Sequence, residues 1–296
     1  MPVPGRNRAV RYPEFRVSIR TCIFRGGLLA LAAAAVLAEA PKATDPQILW
    51  QTLLTGGVRA VAARNYPGAE EFLLKALHLT EQFPAGDPRT GTTLNTLGLV
   101  YREERKFGDA EKAFEKAMDI FEKAYGPDSL DVGNISYNVA SVLMAEGRYD
   151  NALPYIQKSQ PIYVRILGPQ SLKAAGTLCM AGEVYRYQEK FQAAEVPLKQ
   201  CADVREEAEG IESADLGDAL YSLGLVYTQL GRFALADSTL KLTEKIRELT
   251  SGVTSPEFAD ALEAHAAVLK SMNREPEAAR EDTMAAAIRR LGKRTK

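Results

Sequence analysis

The chain has 296 residues, 46% of them hydrophobic and 25% charged, which is ordinary for a soluble protein able to bury a sizeable core. Its net charge of −1 is unevenly spread, because residues 1–25 carry six arginines against Glu14, a balance of +5 that leaves −6 for the rest. An acidic body of this kind excludes a nucleic-acid surface.

The basic start gives way to an apolar run over residues 26–37 and then to small residues at Ala38 and Ala40. This is the layout of a secretory signal peptide. The uncharged run between Arg25 and Glu39 holds 13 residues, too few to span a bilayer comfortably. Val36-Leu37-Ala38 offers small residues where signal peptidase reads them, and Pro41 disfavours cleavage after Ala40. Residues 1–38 are therefore expected to be removed, placing the mature chain in the periplasm or outside a bacterial cell, with membrane association only in transit. An uncleaved membrane anchor and an over-extended start codon are the alternatives. Cys22 precedes the apolar run and makes no lipoprotein box.

A short lead-in, residues 39–49, precedes a repeat. The first unit, about 50–91, contains Trp50, Gly57, Ala69, Leu73 and Ala76, a Tyr66-Pro67 turn and a Gly/Pro-marked loop over residues 83–88. The pattern is clearest in Leu94-Asn95-Thr96-Leu97-Gly98-Leu99-Val100-Tyr101, which returns as Leu220-Tyr221-Ser222-Leu223-Gly224-Leu225-Val226-Tyr227. Its small residue falls at Gly98, Ala140, Gly182, Gly224 and Ala266, steps of 42, and Ala110, Ala152, Ala194, Ala236 and Ala278 keep the same step. Phe114, Ile156, Leu198 and Leu240 add a large apolar group to each unit, and Ala117, Ser159, Cys201, Thr243 and Ala285 a small one. Further units are expected at about 92–133, 134–175, 176–217, 218–259 and 260–291, before a frayed basic tail at 292–296.

Each unit predicts two antiparallel helices, with Leu94, Leu97 and Tyr101 on one apolar face and Ala110, Phe114, Ala117 and Phe121 on the other. Gly126 and its counterparts Gly168, Gly210 and Gly252 suit left-handed helix C-caps, and Ser129, Ser171, Ser213 and Ser255 suit N-caps. Pro154 is expected in a first helical turn, whereas Pro161 and Pro197 lie deeper and should kink their helices. In the sixth unit His265 and Asp282 replace large apolar residues, as a terminal unit facing water would.

These positions resemble the tetratricopeptide repeat (TPR) family. The 42-residue step with Tyr125-Gly126-Pro127-Asp128-Ser129 is similar to the longer, kinesin light chain-like variety. The resemblance covers about residues 50–291 and implies an all-α fold, a right-handed α-solenoid of about six stacked helix-turn-helix units. It also implies a concave groove lined by set positions of each first helix. In unit two these are Asn95, Leu99, Arg102 and Glu103, and in unit three Asn134, Tyr137, Ser141 and Met144. Units four and five supply Cys179, Glu183, Arg186 and Tyr187, then Tyr221, Leu225, Thr228 and Gln229. Asn95 and Asn138 resemble asparagines of the kinesin light chain repeats. The alternative at any one position is an ordinary half-exposed helix residue.

No catalytic chemistry is legible. Only His78 and His265 exist, in the first and last units, and neither a zinc-type Cys/His cluster nor a phosphate loop, nucleophile elbow or HExxH motif appears. Cys201 occupies a buried small-residue position and Cys179 a groove position, so two free cysteines are expected rather than a disulfide. The expectation is a non-enzymatic scaffold without cofactor or metal, which binds a protein or peptide segment. Amides such as Asn95 and Asn134 would pair with a peptide backbone, tyrosines would supply flat apolar area, and Arg102 and Arg186 would grip an acidic or C-terminal carboxylate. The alternative is a structural module that assembles with its own copies.

Overall fold

The computed structural model describes residues 45–294. Twelve α-helices and a 3-10 turn at Thr80–Gln82 make up their regular structure, with no strand among the described residues. Unit one is α1 (Pro46–Ala62) and α2 (Tyr66–Leu79), and unit two is α3 (Pro88–Glu103) and α4 (Phe107–Tyr125). Units three and four are α5 (Leu130–Ala145) with α6 (Tyr149–Leu167), and α7 (Leu172–Tyr187) with α8 (Phe191–Glu209). Units five and six are α9 (Ala214–Gln229) with α10 (Phe233–Ser251), and α11 (Pro256–Ser271) with α12 (Glu275–Arg294).

Local chemistry sets these boundaries. The side chains of Asp45, Asp87, Ser129, Ser171, Ser213 and Ser255 each accept a backbone N–H in the first turn of a first helix. Because the cap rather than the small residue starts the helix, the first helices of units two to six begin four residues ahead of the expected unit starts. α1 likewise begins inside the expected lead-in, and α12 extends three residues into the expected tail. The second helices of units two to five close at Gly126, Gly168, Gly210 and Gly252, with φ of 87°, 89°, 72° and 87°. Their ψ values lie near the extended range (160° at Gly126), so they occupy a glycine-only region and not the left-handed helical one expected. Pro154 is the sixth residue of α6, in the second turn rather than the first, and α6 and α8 remain continuous through Pro154, Pro161 and Pro197.

Within a unit the small residue of the first helix seats the large residue of the second. A Cβ on Gly182 would lie 2.4 Å from Leu198 Cγ and 3.2 Å from the Leu198 backbone nitrogen, so no larger residue fits there without movement. Gly98 faces the Phe114 ring and Gly224 faces Leu240 in the same way, and all three large side chains are fully buried. Between units, each second helix packs against the first helix of the next, and the first helices α1, α3, α5, α7, α9 and α11 touch in succession. The first helices thus form the inner layer of the right-handed solenoid. In the last unit Asp282 takes the place of the large apolar residue and is half-exposed, paired at 2.6 Å with Lys270.

Unit four corrects one expectation: Cys179 and Cys201 form a disulfide, with their Cα atoms 5.4 Å apart. Cys179 lies three residues before Gly182 and Cys201 three after Leu198, so antiparallel pairing at that close contact brings them level. Cys179 is only 8% exposed and its sulfur is tied to α8. The separation lies within the roughly 4.4–6.8 Å that a disulfide bridges.

Candidate functional site

The inner layer carries most of the groove positions at intermediate exposure, and it joins them across units. Asn95 Oδ1 accepts from Asn138 Nδ2 at 3.1 Å, linking units two and three. Arg102 Nη1 donates to Ser141 Oγ at 3.2 Å over the same boundary. Asn134 Oδ1 accepts from the Tyr163 hydroxyl at 3.0 Å and from Lys173 Nζ at 2.6 Å, tying unit three to unit four. Tyr137 sits beside Tyr163, ring centroids 6.3 Å apart, and against Gly176, where a Cβ would come within 3.2 Å of its hydroxyl. Leu99 and Met144 pack partly buried on the core of units two and three.

Further along, the groove becomes ionic. Glu183 is 2% exposed and receives both Nε and Nη2 of Arg186, at 3.1 and 2.7 Å. Arg186 also lies 4.1 Å over the Tyr187 ring, which stacks at 4.4 Å on Tyr149. Although burial opposes its charge, Glu183 holds the Arg186 guanidinium firmly protonated. Tyr221 lies beneath Arg247 at 4.1 Å, and burial pushes its phenol up, so it stays a neutral hydroxyl. Leu225 and Thr228 are half-buried, and Gln229 is exposed at the helix end.

Two features depart from the sequence reading. The arginines expected to grip a ligand carboxylate already hold one of the protein's own: Glu103 accepts from Arg102 at 2.9 Å, as Glu183 does from Arg186. The second is a column of side chains at Phe121, Tyr163, Arg205, Arg247 and Arg289, of which the sequence reading had marked only Phe121, as part of an apolar face. Arg205 pairs with Asp215 (2.8 Å) and Glu209 (3.1 Å), Arg247 with Asp218 (3.0 Å), and Arg289 with Asp260 and Glu263. Their 42-residue spacing was the available signal, hidden because the residue type changes midway.

A pocket lined by Tyr137, Cys179, Glu183, Arg205, Asp215 and Asp218 lies among α5, α7, α8 and α9. It joins the aromatic and ionic stretches of the groove. Among the described residues, no helix is long and apolar enough to cross a membrane.

The sequence model described as Tetratricopeptide repeat matches residues 60–123, 89–140 and 131–207, and a second model of that description matches 217–246. No curated protein sequence matches the chain. Among solved structures, BtubC (BKLC) from P. vanneervenii is similar with a TM-score of 0.63 and 18% identity, over 82% of this chain and 92% of that one. The apo form of RapI gives a TM-score of 0.64 at 13% identity, over 83% and 99%. A putative kinesin light chain repeat protein from Podosopora anserina gives 0.58 at 15%, over 69% and 97%. At these identities the likeness is one of fold. With half of its length matched by the family model and the helix pairs stacked as described, the chain belongs to the tetratricopeptide-repeat family.

Proposed function

We propose that this protein is an exported, non-enzymatic scaffold that holds an extended segment of a partner protein in its concave groove. The observation carrying this reading is the inner layer of first helices, which presents half-exposed amides and aromatics along successive units. The stretch best suited to an extended chain runs through Asn95, Leu99, Asn134, Tyr137, Ser141 and Met144. There the amides lie along the path of an extended backbone, with Asn134 Oδ1 already accepting from Tyr163 and Lys173, and Tyr137 adds flat area at low entropic cost. Glu183, Arg186, Tyr187, Tyr221, Leu225 and Gln229 continue the face. Since Arg102 and Arg186 are already paired, the segment we favour is apolar and neutral, and a ligand carboxylate would bind only by displacing Glu103 or Glu183.

A photo-crosslinking residue placed at Tyr137 should capture the partner in the native host, and one at Lys116, exposed on the second helix of unit two, should not. Tyr137→Ala, checked by circular dichroism to be folded at the binding temperature, should weaken binding of that partner by about 1–3 kcal/mol. Capture only from Lys116 would place the partner on the convex side and end the groove reading.

Export is supported by the Cys179–Cys201 disulfide, since such bonds persist in oxidising compartments. N-terminal sequencing of protein from the host should begin at Glu39, and a chain retaining Met1 in the cytosol would refute it. The expected leader lies outside the described residues. Self-assembly is the second reading, favoured by exposed Ile48 and Leu49 at one end of the stack and Met284 and Leu291 at the other. A concentration-dependent mass on a sizing column would support it.

A further inference from the structure

His265 is buried between α10, α11 and α12 with three carboxylates around its ring. Asp237 Oδ1 lies 2.8 Å from Nε2, Glu244 Oε1 lies 2.7 Å from Nδ1, and Glu281 Oε1 lies 3.9 Å from Nδ1. Asp237 is itself held by Arg274 at 2.9 Å. From these groups we infer a binding site for a divalent transition-metal ion of the zinc or manganese type, ligated by His265 Nδ1, Glu244 and Glu281.

The hydrogen-bond arithmetic leads there. Asp237 Oδ1, which also accepts from Arg274 Nη1 at 2.9 Å, faces Nε2 at 2.8 Å. Nδ1 faces Glu244 at 2.7 Å on the other side of the ring, a separation that a ring proton can fill and that a metal ion taking its place would widen only slightly. A proton satisfies that pair but leaves Glu281 unanswered, and Glu281 Oε2 is buried with no hydrogen-bond partner. An ion with several coordination positions would serve both carboxylates and the imidazole at once. The candidate ligand atoms all lie within 4.8 Å of one another, and the two ring contacts, 2.7 and 3.9 Å, bracket the ~3.4 Å edge of a tetrahedral zinc site. An imidazole with two carboxylates suits zinc or manganese better than magnesium or calcium. Asp237 on the far ring nitrogen has the place of the carboxylate that orients a metal-bound histidine.

The repeat supplies an independent observation. The positions of Glu244, His265 and Glu281 correspond, one 42-residue step at a time, to Ala202, Leu223 and Thr239, to Gln160, Ala181 and Pro197, and to Met118, Val139 and Tyr155. At that last boundary the three side chains belong to one apolar core cluster. All three positions become ligand-type residues together, at one inter-unit boundary only. The outward face of a terminal unit would not require this, because His265 is only 4% exposed. The ion would strap the last unit to the stack, since its ligands come from three helices.

The test uses the full chain, stripped with EDTA and then titrated with Zn2+, Mn2+ or Mg2+ while melting is followed by circular dichroism. Zn2+ or Mn2+ at about a hundredfold excess over its dissociation constant should raise the melting temperature by roughly 5 °C or more, and Mg2+ should not. Glu281→Gln, its melting temperature in EDTA taken as its own baseline, should abolish the rise. His78→Gln, which alters the exposed histidine, should keep the rise. Visible absorption of bound Co2+ gives a second readout, present in the native chain and absent from Glu281→Gln. Equal responses from native chain and Glu281→Gln, or no response to any transition metal, would overturn the site.

Discussion

The two halves of the solenoid fill one backbone slot in opposite ways. In units two and three it holds Phe121 and Tyr163. Phe121 is 5% exposed and stacks on Tyr125, and Tyr163 is 2% exposed and donates to Asn134. In units four, five and six it holds Arg205, Arg247 and Arg289, each answered by carboxylates at the start of a first helix. The helix geometry is the same, so the slot tolerates any long side chain whose far end is satisfied. An aromatic ring needs apolar neighbours, whereas a buried guanidinium needs acids, which is why Asp215, Asp218 and Asp260 accompany the change. The groove consequently runs from amide and aromatic at one end to ionic at the other, and a partner segment would meet two different surfaces.

Cutting the aromatic version should do the most damage. Phe121→Ala removes a buried ring from a slot whose neighbours cannot collapse around Gly91, and should cost about 3–5 kcal/mol in urea unfolding, with little dependence on salt. Opening the disulfide acts on the other half alone. The 22-residue separation of Cys179 and Cys201 predicts a loss of about 3 kcal/mol on reduction, and Cys201→Ser should reproduce it. Arg205→Ala should follow at about 2 kcal/mol, below the range for a fully buried pair because Glu209 and Asp215 remain 22% and 23% exposed. Its cost should shrink in high salt. If Phe121→Ala and Arg205→Ala respond equally to salt, the contrast between the halves is not electrostatic. The smallest effect tests the turn that both halves share. Glu189 sits at φ 57°, where units three and five place Gly147 and Gly231 at 73° and 70°. Glu189→Gly should therefore stabilise unit four by about 1 kcal/mol.

Much of this was legible from the residues because helical repeats are built from short-range rules. The serine caps, the glycine stops and the pairing of a small residue with a large one sixteen positions later each involve neighbours in sequence or in one hairpin. What failed did so where direction mattered. Counting positions put Cys179 in the groove as a free thiol, and could not show that its sulfur meets that of Cys201 across the hairpin. Counting likewise placed Arg186 in the groove, and it could not show that Glu183, one turn earlier, had already closed the fork.

The sequence by itself determined the number of units and their 42-residue register, since a strict period fixes how apolar faces stack, and the family resemblance implied which helices lie inside. Only the tertiary structure decided which polar groups meet. Asp237, Glu244, His265 and Glu281 lie on three helices and span 45 residues of sequence, and Arg205 finds Asp215 across a turn. Hydrogen bonds and ion pairs depend on ångström-scale placement and orientation, which periodicity does not encode, whereas burial of an apolar face needs only the correct side of a helix.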